Sequence, residues 1–255
     1  WYVSFSGLIR LAEVLIEKFS CGNGGFWGEI TLNRPETKNA INGPLGVGLF
    51  EAFDEVSADE SVQVVLLKGA EGAFCSGLDL NDFNASPPPS WLPDFQKIWR
   101  QAHRAMYNCP IPIVAALERY AINGGAALAL AADYLVAGEQ SFLQVGEVKI
   151  GMAAPYNMAW MSLRHPESVV AEVALIGDKL GPEDMMRLNL VNRIASDEEV
   201  VQSARALCET IGGYPEGATR KLKNSLRASR DEDADEWFDS FAPGFEKEVR
   251  PSSMK

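Results

Sequence analysis

The sequence predicts an α/β fold, in which a layered core of strands and helices is followed by a helical C-terminal region. Short apolar runs alternate with helical patterns over the first part of the chain, and two of these runs lead into glycine-rich segments. Beyond residue 167 the pattern is mainly helical. A chain of 255 residues suits one large domain, which we divide into a core over residues 1–195 and a C-terminal region over residues 196–255.

Strands are predicted where β-branched and apolar residues form short runs. Residues 11–19 fit either an amphipathic helix or an alternating strand, and the strand is favoured because a Cys-Gly-Asn-Gly-Gly turn follows. The run VQVVLL over residues 62–67 is typical of a strand buried on both faces. Further strands are predicted over residues 26–32, 111–117 and 134–137.

Helical spacing of apolar residues predicts two helices in the core and four beyond residue 167. The core helices cover residues 45–56 and 126–132, and the later ones cover residues 168–175, 182–188, 198–211 and 216–228. Residues 85–89 (ASPPP) are predicted to be a surface loop, because consecutive prolines lack N–H donors and favour an extended backbone.

Composition argues against several classes of function. The net charge of −12 and the lack of a basic block argue against a nucleic-acid partner. No apolar run reaches the roughly 18–20 residues of a membrane span, and no signal-peptide pattern is visible, so we expect no membrane span and a cytoplasmic protein. Four scattered cysteines and two histidines, His103 and His165, predict free thiols and neither a metal site nor a Ser/His/Asp hydrolase site.

Two segments share one design, in which a buried strand leads through glycine-rich backbone towards a helix. The first leads from residues 64–69 to residues 73–80, which include Ser76-Gly77-Leu78. The second leads from residues 112–116 to residues 120–127, which include Asn123-Gly124-Gly125. Glycine allows close backbone approach, and a helix N-terminus presents unpaired N–H groups. Two such junctions facing each other would form a pair of donors for an oxyanion. The alternative is that both glycine clusters only permit tight turns and close packing.

Three motifs, in this order and spacing, resemble those of the crotonase, or enoyl-CoA hydratase/isomerase, superfamily. They are LNRPETKNAIN (residues 32–42), GAFCSGLDL (residues 72–80) and AINGGAALALAADYLVAG (residues 121–138). The resemblance runs from about residue 29 to about residue 226. It implies a crotonase (ClpP-like) core of repeated ββα units, with a helical C-terminal region that mediates formation of a homotrimer or a dimer of trimers.

The same resemblance implies the parts of an acyl-coenzyme A site. The backbone N–H groups of Leu78 and Gly124 are expected to bind the thioester oxygen, and coenzyme A enters as part of the substrate, with no prosthetic group. Lys38 is expected to meet a phosphate, with a plain surface lysine as the alternative. The residues expected to line the coenzyme A site are Thr37, Lys38, Ala40, Ser76, Gly77, Leu78, Asp79 and Leu80.

The acid and base residues depart from the hydratase pattern. Hydratases of the family hold water with two glutamates, and the first of these positions is Ala127 here, whereas the second is Glu147. One carboxylate can move a proton between C2 and C4 of an acyl chain. The pattern therefore favours an isomerase, with a hydratase or hydratase-lyase and a non-catalytic acyl-CoA-binding protein as alternatives. Glu147 as a solvated surface acid is the remaining interpretation.

Two further positions differ from the family pattern. Asn123 replaces the first glycine of the usual triplet, and residues 151–157 stand where the family has a glycine-rich run. Pro155 aligns with the nucleophilic aspartate of the aromatic dehalogenases, which argues against that chemistry. A reshaped acyl pocket or ordinary helix packing would each explain the bulky side chains that follow, Met158, Trp160 and Met161.

Overall fold

The computed structural model of the protein describes residues 8–11, 13–22, 24–228, 230 and 233–241. These residues form a seven-stranded mixed sheet with helices packed on both faces, together with a three-stranded sheet. The α/β architecture predicted from the sequence is confirmed. The predicted C-terminal region extends beyond residue 241, outside the described residues.

The strands of the large sheet lie in the order β1-β2-β3-β4-β5-β7-β10, and those of the small sheet in the order β6-β8-β9. The pairs β1/β2 and β2/β3 are antiparallel, and the large sheet is parallel from β3 onward. The strands are β1 Ile9–Leu11, β2 Val14–Ser20, β3 Phe26–Leu32, β4 Val62–Gly69, β5 Ile113–Leu117, β6 Tyr120–Ile122, β7 Tyr134–Gly138, β8 Phe142–Gln144, β9 Lys179–Leu180 and β10 Arg193–Ala195.

The strand predicted over residues 11–19 is present, but its first part belongs to a hairpin. The chain turns after β1, so that Ile9 pairs with Ile16 and Leu11 pairs with Val14. The strand interpretation is confirmed: β2 is paired on one side with β1 and on the other with β3, and it alternates between buried and half-buried residues over its first four positions. Strands β6, β8, β9 and β10 are only two or three residues long, too short for a period to identify them.

Ten helices connect and cover these strands in the described part of the chain. They are α1 Gly43–Ala58, α2 Leu80–Phe83, α3 Phe95–Asn108, α4 Gly124–Leu130, α5 Pro155–Ser162, α6 Glu167–Ile176, α7 Pro182–Arg187, α8 Val200–Gly212, α9 Ala218–Arg227 and α10 Ala234–Ser240. The helix predicted over residues 126–132 begins earlier, at Gly124, which places the Gly124 N–H at the helix N-terminus. No helix among the described residues has the length and apolar character needed to cross a membrane.

Strand β4 shows why the centre of the sheet is apolar throughout. Val65 and Leu67 belong to the main core cluster, whereas Val64 and Leu66 belong to a second cluster that includes residues of α8. Successive side chains of a strand point to opposite faces, so both faces of β4 are covered. The prediction of a strand buried on both faces is confirmed.

The carboxyl ends of β4 and β5 position the candidate site. Because the two strands are parallel neighbours, both end at the same edge of the sheet. The glycine-rich segment of residues 70–79 follows β4, and the segment leading through β6 into α4 follows β5. Ligand sites in open α/β sheets form at this edge.

Candidate active site

The two glycine-rich segments lie side by side. The Cys75 N–H donates to the Tyr120 carbonyl oxygen at 3.1 Å, and the Ile122 N–H donates to the Cys75 carbonyl oxygen at 3.2 Å. A Cβ atom at Gly125 would lie 2.7 Å from that same Cys75 oxygen, so this close approach requires glycine. The structure thus brings Leu78 and Gly124 to neighbouring positions.

The backbone on both sides of Leu78 is hydrogen-bonded to Ile41, so that the Leu78 N–H points away from Ile41. The Ile41 N–H donates to the Gly77 carbonyl oxygen at 2.8 Å, and the Asp79 N–H donates to the Ile41 carbonyl oxygen at 2.9 Å. In a parallel pair, the residue between two such bonds directs its own N–H to the opposite side. Within the described residues the Leu78 N–H has no hydrogen-bond acceptor.

Gly124 supplies the second unpaired donor. It is the first residue of α4, where backbone N–H groups have no partner within the helix, and no acceptor for it is present among the described residues. A Cβ atom at Gly124 would lie 2.9 Å from Ile41 Cδ1 and 3.7 Å from Trp99 Cζ2, so Ile41 adjoins both donor segments. Two donors on neighbouring segments are suited to an oxygen that gains negative charge.

Glu147 is buried, which contradicts its interpretation as a solvated surface acid. The residue is 7% exposed and begins the 3-10 turn Glu147–Ile150 after β8. Its Oε1 accepts a hydrogen bond from Asn157 Nδ2 at 2.8 Å. Its Oε2 is also buried and has no hydrogen-bond partner in the described part of the molecule. An unpaired carboxylate oxygen in a protected site is available to take a proton.

Burial raises the pKa of the Glu147 carboxyl to about 7, although its own backbone N–H and the Asn157 amide act in the opposite direction. The nearby cation Lys149, in the same turn, is not paired with Glu147, because it forms an ion pair with Asp178 at 2.5 Å. A carboxyl with a pKa near neutrality is present in both protonation states at pH 7, so it can act first as a base and then as an acid.

Asn123 connects the two halves of the site. Its N–H donates to the Gln144 carbonyl oxygen at 2.7 Å, and its Oδ1 accepts from the Gly146 N–H at 2.8 Å. The residue before Gly124 is therefore bonded to the residue before Glu147. The substitution for glycine at this position was evident in the sequence, but the cross-link was not predicted.

The segments predicted to line the coenzyme A site also lie side by side. The Ser76 N–H donates to the Lys38 carbonyl oxygen at 3.2 Å, and Ser76 Oγ donates to the Thr37 carbonyl oxygen at 3.2 Å. The side chains of Lys38 and Leu80 are exposed, whereas Ala40 is buried. The structure brings these residues to one surface, and their contact with coenzyme A stays a prediction.

Asp79 has its side chain engaged within the protein. Arg34 Nη2 lies 2.9 Å from Asp79 Oδ2, and Asp79 Oδ1 accepts from the N–H groups of Asn81 and Asp82 at the start of α2. The residue is 5% exposed. Its carboxylate therefore orients the turn directly after Leu78.

The position of the absent acid, Ala127, is fully buried in α4. His103 is also fully buried, and burial lowers its pKa to about 3, so that it is neutral at ordinary pH. It accepts a hydrogen bond on Nδ1 from Trp160 Nε1 at 2.8 Å. Trp160 and Met161 belong to the core, which favours helix packing over a reshaped acyl pocket at these two residues.

Asn157 is the site residue that the sequence did not identify. Its signal is a single amide within the otherwise apolar run that forms α5. Among the described residues no group of three His, Cys, Asp or Glu side chains is arranged to hold a metal ion.

Comparison with known proteins identifies the family of the chain. A family model described as enoyl-CoA hydratase/isomerase matches residues 27–247. The chain is 31% identical to a Delta(3,5)-Delta(2,4)-dienoyl-CoA isomerase of Rattus norvegicus, over 84% of this chain and 69% of that protein. It is 30% identical to a carnitinyl-CoA dehydratase of Salmonella typhi, over 82% of this chain and 80% of that protein.

Solved structures show the same fold. An enoyl-CoA hydratase from Mycobacterium marinum superposes with a TM-score of 0.73 at 31% identity, covering 92% of this chain and 90% of that chain. An enoyl-CoA hydratase/carnithine racemase from Magnetospirillum magneticum gives a TM-score of 0.76 at 27% identity, covering 87% and 82%. The protein has the crotonase fold, and the chain belongs to the enoyl-CoA hydratase/isomerase family of the crotonase superfamily.

Proposed function

We propose that the protein is an enoyl-CoA isomerase that uses Glu147 as its single acid and base. One observation carries this proposal. Glu147 has a buried carboxylate whose Oε2 has no partner in the described residues, whereas position 127, where a second acid would stand, is an alanine. Neither isomerase nor hydratase chemistry follows from family membership alone. The single carboxylate favours proton transfer over the positioning of water by two acids.

The proposed reaction moves a double bond of a 3-enoyl thioester. The thioester oxygen accepts hydrogen bonds from the N–H groups of Leu78 and Gly124, which stabilise the enolate. Glu147 Oε2 takes a proton from C2, the double bond moves from C3–C4 to C2–C3, and the same proton returns at C4. Each oxyanion donor contributes about 3–4 kcal/mol to stabilising the transition state.

The coenzyme A part of the substrate is proposed to lie along the paired segments 37–40 and 76–80. Support comes from their direct backbone pairing beside the two unpaired donors. Lys38 projects from this surface as an exposed cation, so it is suited to a phosphate group. Coenzyme A is a substrate in this proposal, and no prosthetic group takes part.

Glu147→Gln tests the assignment directly. We expect the variant to lose isomerisation of trans-3-hexenoyl-CoA and deuterium uptake at C2 of butyryl-CoA in heavy water, because the amide cannot accept the proton. Both rates are measured by NMR and mass spectrometry. Glu183→Gln, at an exposed glutamate of α7, is the matched control and should retain both rates. Full isomerase turnover by Glu147→Gln would contradict the assignment.

Hydration, or hydratase-lyase chemistry, is the second candidate, because relatives of similar identity are a dehydratase and a hydratase. It predicts 3-hydroxyacyl-CoA from 2-hexenoyl-CoA at a rate comparable to isomerisation, again with loss in Glu147→Gln. Acyl-CoA binding without deuterium uptake at C2 would instead favour a non-catalytic binding protein. The same panel of thioesters therefore separates all three functions.

A homotrimer, or a dimer of trimers, in the cytoplasm is proposed as the working form. The four free cysteines support the cytoplasmic location, because thiols stay reduced in that compartment. Support for assembly comes from exposed apolar side chains in the C-terminal region, where Leu222 and Leu226 are 68% and 76% exposed. Analytical ultracentrifugation tests the assembly, and a monomeric sedimentation coefficient at micromolar concentration would contradict it.

A further inference from the structure

Asn157 carries an amide into an apolar helix, where it needs hydrogen-bond partners. The residue is 1% exposed and lies in α5, beside core residues such as Trp160 and Met161. Burying an amide without hydrogen bonds is costly, and Asn157 Oδ1 has no hydrogen-bond partner among the described residues, so the bonds of the amide nitrogen are those that offset this cost. Its Nδ2 makes two bonds, to Glu147 Oε1 at 2.8 Å and to the Asn123 carbonyl oxygen at 3.1 Å.

These two bonds connect the Glu147 carboxylate to the backbone at the start of α4. The Asn123 carbonyl also accepts the Ala127 N–H at 3.1 Å, so it belongs to the first turn of α4, which Gly124 opens. The two hydrogens of an amide group have a fixed angle between them. An amide that donates one to the carboxylate and one to this turn therefore sets the orientation of Glu147 relative to Gly124.

The same bonds distinguish the two carboxylate oxygens. Oε1 is engaged by the Asn157 amide, whereas Oε2 is buried and has no partner within the described residues. A proton acceptor must have a free lone pair directed at the proton that it removes. Oε2 has lone pairs that no described residue uses, whereas Oε1 is held in place by Asn157.

We propose that Asn157 is a positioning residue, which aligns the Glu147 carboxylate with the Gly124 donor and makes Oε2 the oxygen that accepts the proton. This inference rests on the proposed function, because it assigns a role in proton transfer by Glu147. It goes beyond that function, since it adds a residue that does not touch the substrate. It also explains how one carboxylate keeps its orientation without a second acid at Ala127.

Asn157→Leu removes both bonds at similar side-chain volume. We expect the pKa of Glu147, followed by the carboxyl ¹³C shift of the ligand-free protein, to rise by about one pH unit, because a donor to the charged form is lost. We expect kcat for trans-3-hexenoyl-CoA to fall by about 10–100-fold, because the base is misaligned. KM should change by less than about threefold, because binding of coenzyme A does not use this residue.

Asn192→Leu is the control for a loss of stability alone. Asn192 accepts the Leu135 N–H at 2.8 Å in β7, away from the site, so its loss should lower the thermal midpoint and leave the pKa of Glu147 unchanged. If Asn157→Leu does not fold, Asn157→Asp keeps the side-chain shape. In that variant a carboxyl at position 157 lies beside the Glu147 carboxyl. Because like charges repel, the higher of the two pKa values should exceed the pKa of Glu147 in the wild-type protein.

An unchanged pKa of Glu147 together with an unchanged kcat in either Asn157 variant would overturn the inference. A fall in kcat with the pKa unmoved would also overturn it, because a general loss of structure predicts that pattern. A wild-type protein that neither isomerises the thioester nor exchanges the C2 proton contradicts the proposed function instead. The pKa measurement does not depend on turnover, so the two failures are distinguishable.

Discussion

Asn123 shows how a single residue can combine an unfavourable backbone conformation with a useful side chain. Its φ of 51° is combined with a ψ of −112°, a conformation outside the left-handed helical region that favours glycine. A glycine would adopt this conformation without strain but could not accept the Gly146 N–H, as Asn123 Oδ1 does at 2.8 Å. The chain thus retains a strained residue where its side chain ties α4 to the backbone before Glu147.

Asn123→Gly should separate these two effects. Relief of backbone strain and loss of the bond to Gly146 act in opposite directions, so we expect the free energy of unfolding to change by less than about 1 kcal/mol. We expect kcat for the proposed isomerisation of trans-3-hexenoyl-CoA to fall by about tenfold, because the link between the donor segment and Glu147, the proposed base, is lost. Urea unfolding and steady-state kinetics measure the two quantities.

Asn189→Gly is the matched control for that substitution. Asn189 also has a positive φ, of 57°, and lies after α7, away from the candidate site. Its replacement by glycine also removes a side chain from a residue with positive φ, and we expect no change in kcat for trans-3-hexenoyl-CoA. Equal kcat values for wild type and Asn123→Gly would contradict the role given to Asn123.

At the scale of elements, the contact between α4 and the segment after β4 determines whether the two donors face one site. Gly125 is the point of closest approach, since a Cβ there would lie 2.7 Å from the Cys75 carbonyl oxygen and 2.8 Å from Cys75 Cβ. Backbone atoms on the other side cannot move aside as a flexible side chain would. The helix and the strand-like segment therefore depend on glycine for their separation.

Gly125→Ala should move the two elements apart. We expect kcat for the proposed isomerisation of trans-3-hexenoyl-CoA to fall by about 100-fold, because the proposed donors at Leu78 and Gly124 would be moved apart. We expect the free energy of unfolding to fall by about 1–3 kcal/mol through overpacking. Gly181→Ala is the control, since its Cβ would meet nothing within 4 Å and its φ is −73°. A Gly125→Ala protein with wild-type kcat would show that the donors tolerate this displacement.

At the scale of the whole molecule, the buried acid makes stability depend on pH. Burial raises the pKa of Glu147 from its ordinary value of 4.5 to about 7. Below pH 4.5 the carboxyl is protonated in both the folded and the unfolded chain, so its ionisation contributes nothing. Between these two values the unfolded chain releases the proton and the folded chain retains it, so stability falls as pH rises.

Glu147→Gln should remove this dependence. We expect the variant to gain stability relative to wild type by about 1.4 kcal/mol per pH unit across this window, reaching about 3 kcal/mol at high pH. Urea unfolding of both proteins at several pH values measures the difference. Glu183→Gln, at an exposed glutamate of α7, is measured alongside as the control for the substitution itself. A difference independent of pH would contradict a raised pKa at Glu147.

Helix α3 is not among the helices predicted from the sequence, because polar side chains interrupt its apolar residues. Its buried residues nevertheless have the spacing of one helix face. They are Trp99, Ala102, His103, Met106 and Tyr107. The strand pair before β3 was only partly predicted for another reason, since a hairpin register depends on pairing between the two strands.

The sequence by itself determined the α/β core, the strand buried on both faces and the two glycine junctions. Local composition governs each of these, since β-branched runs form strands and only glycine allows such close backbone approach. Tertiary structure alone decided the environment of Glu147. The hydrogen bonds among Asn123, Glu147 and Asn157 join three separate segments of the chain. No local sequence pattern encodes which side chains meet around Glu147 or how deeply it is buried. The family resemblance thus predicted the two donors, whereas packing determined the orientation and the pKa of Glu147.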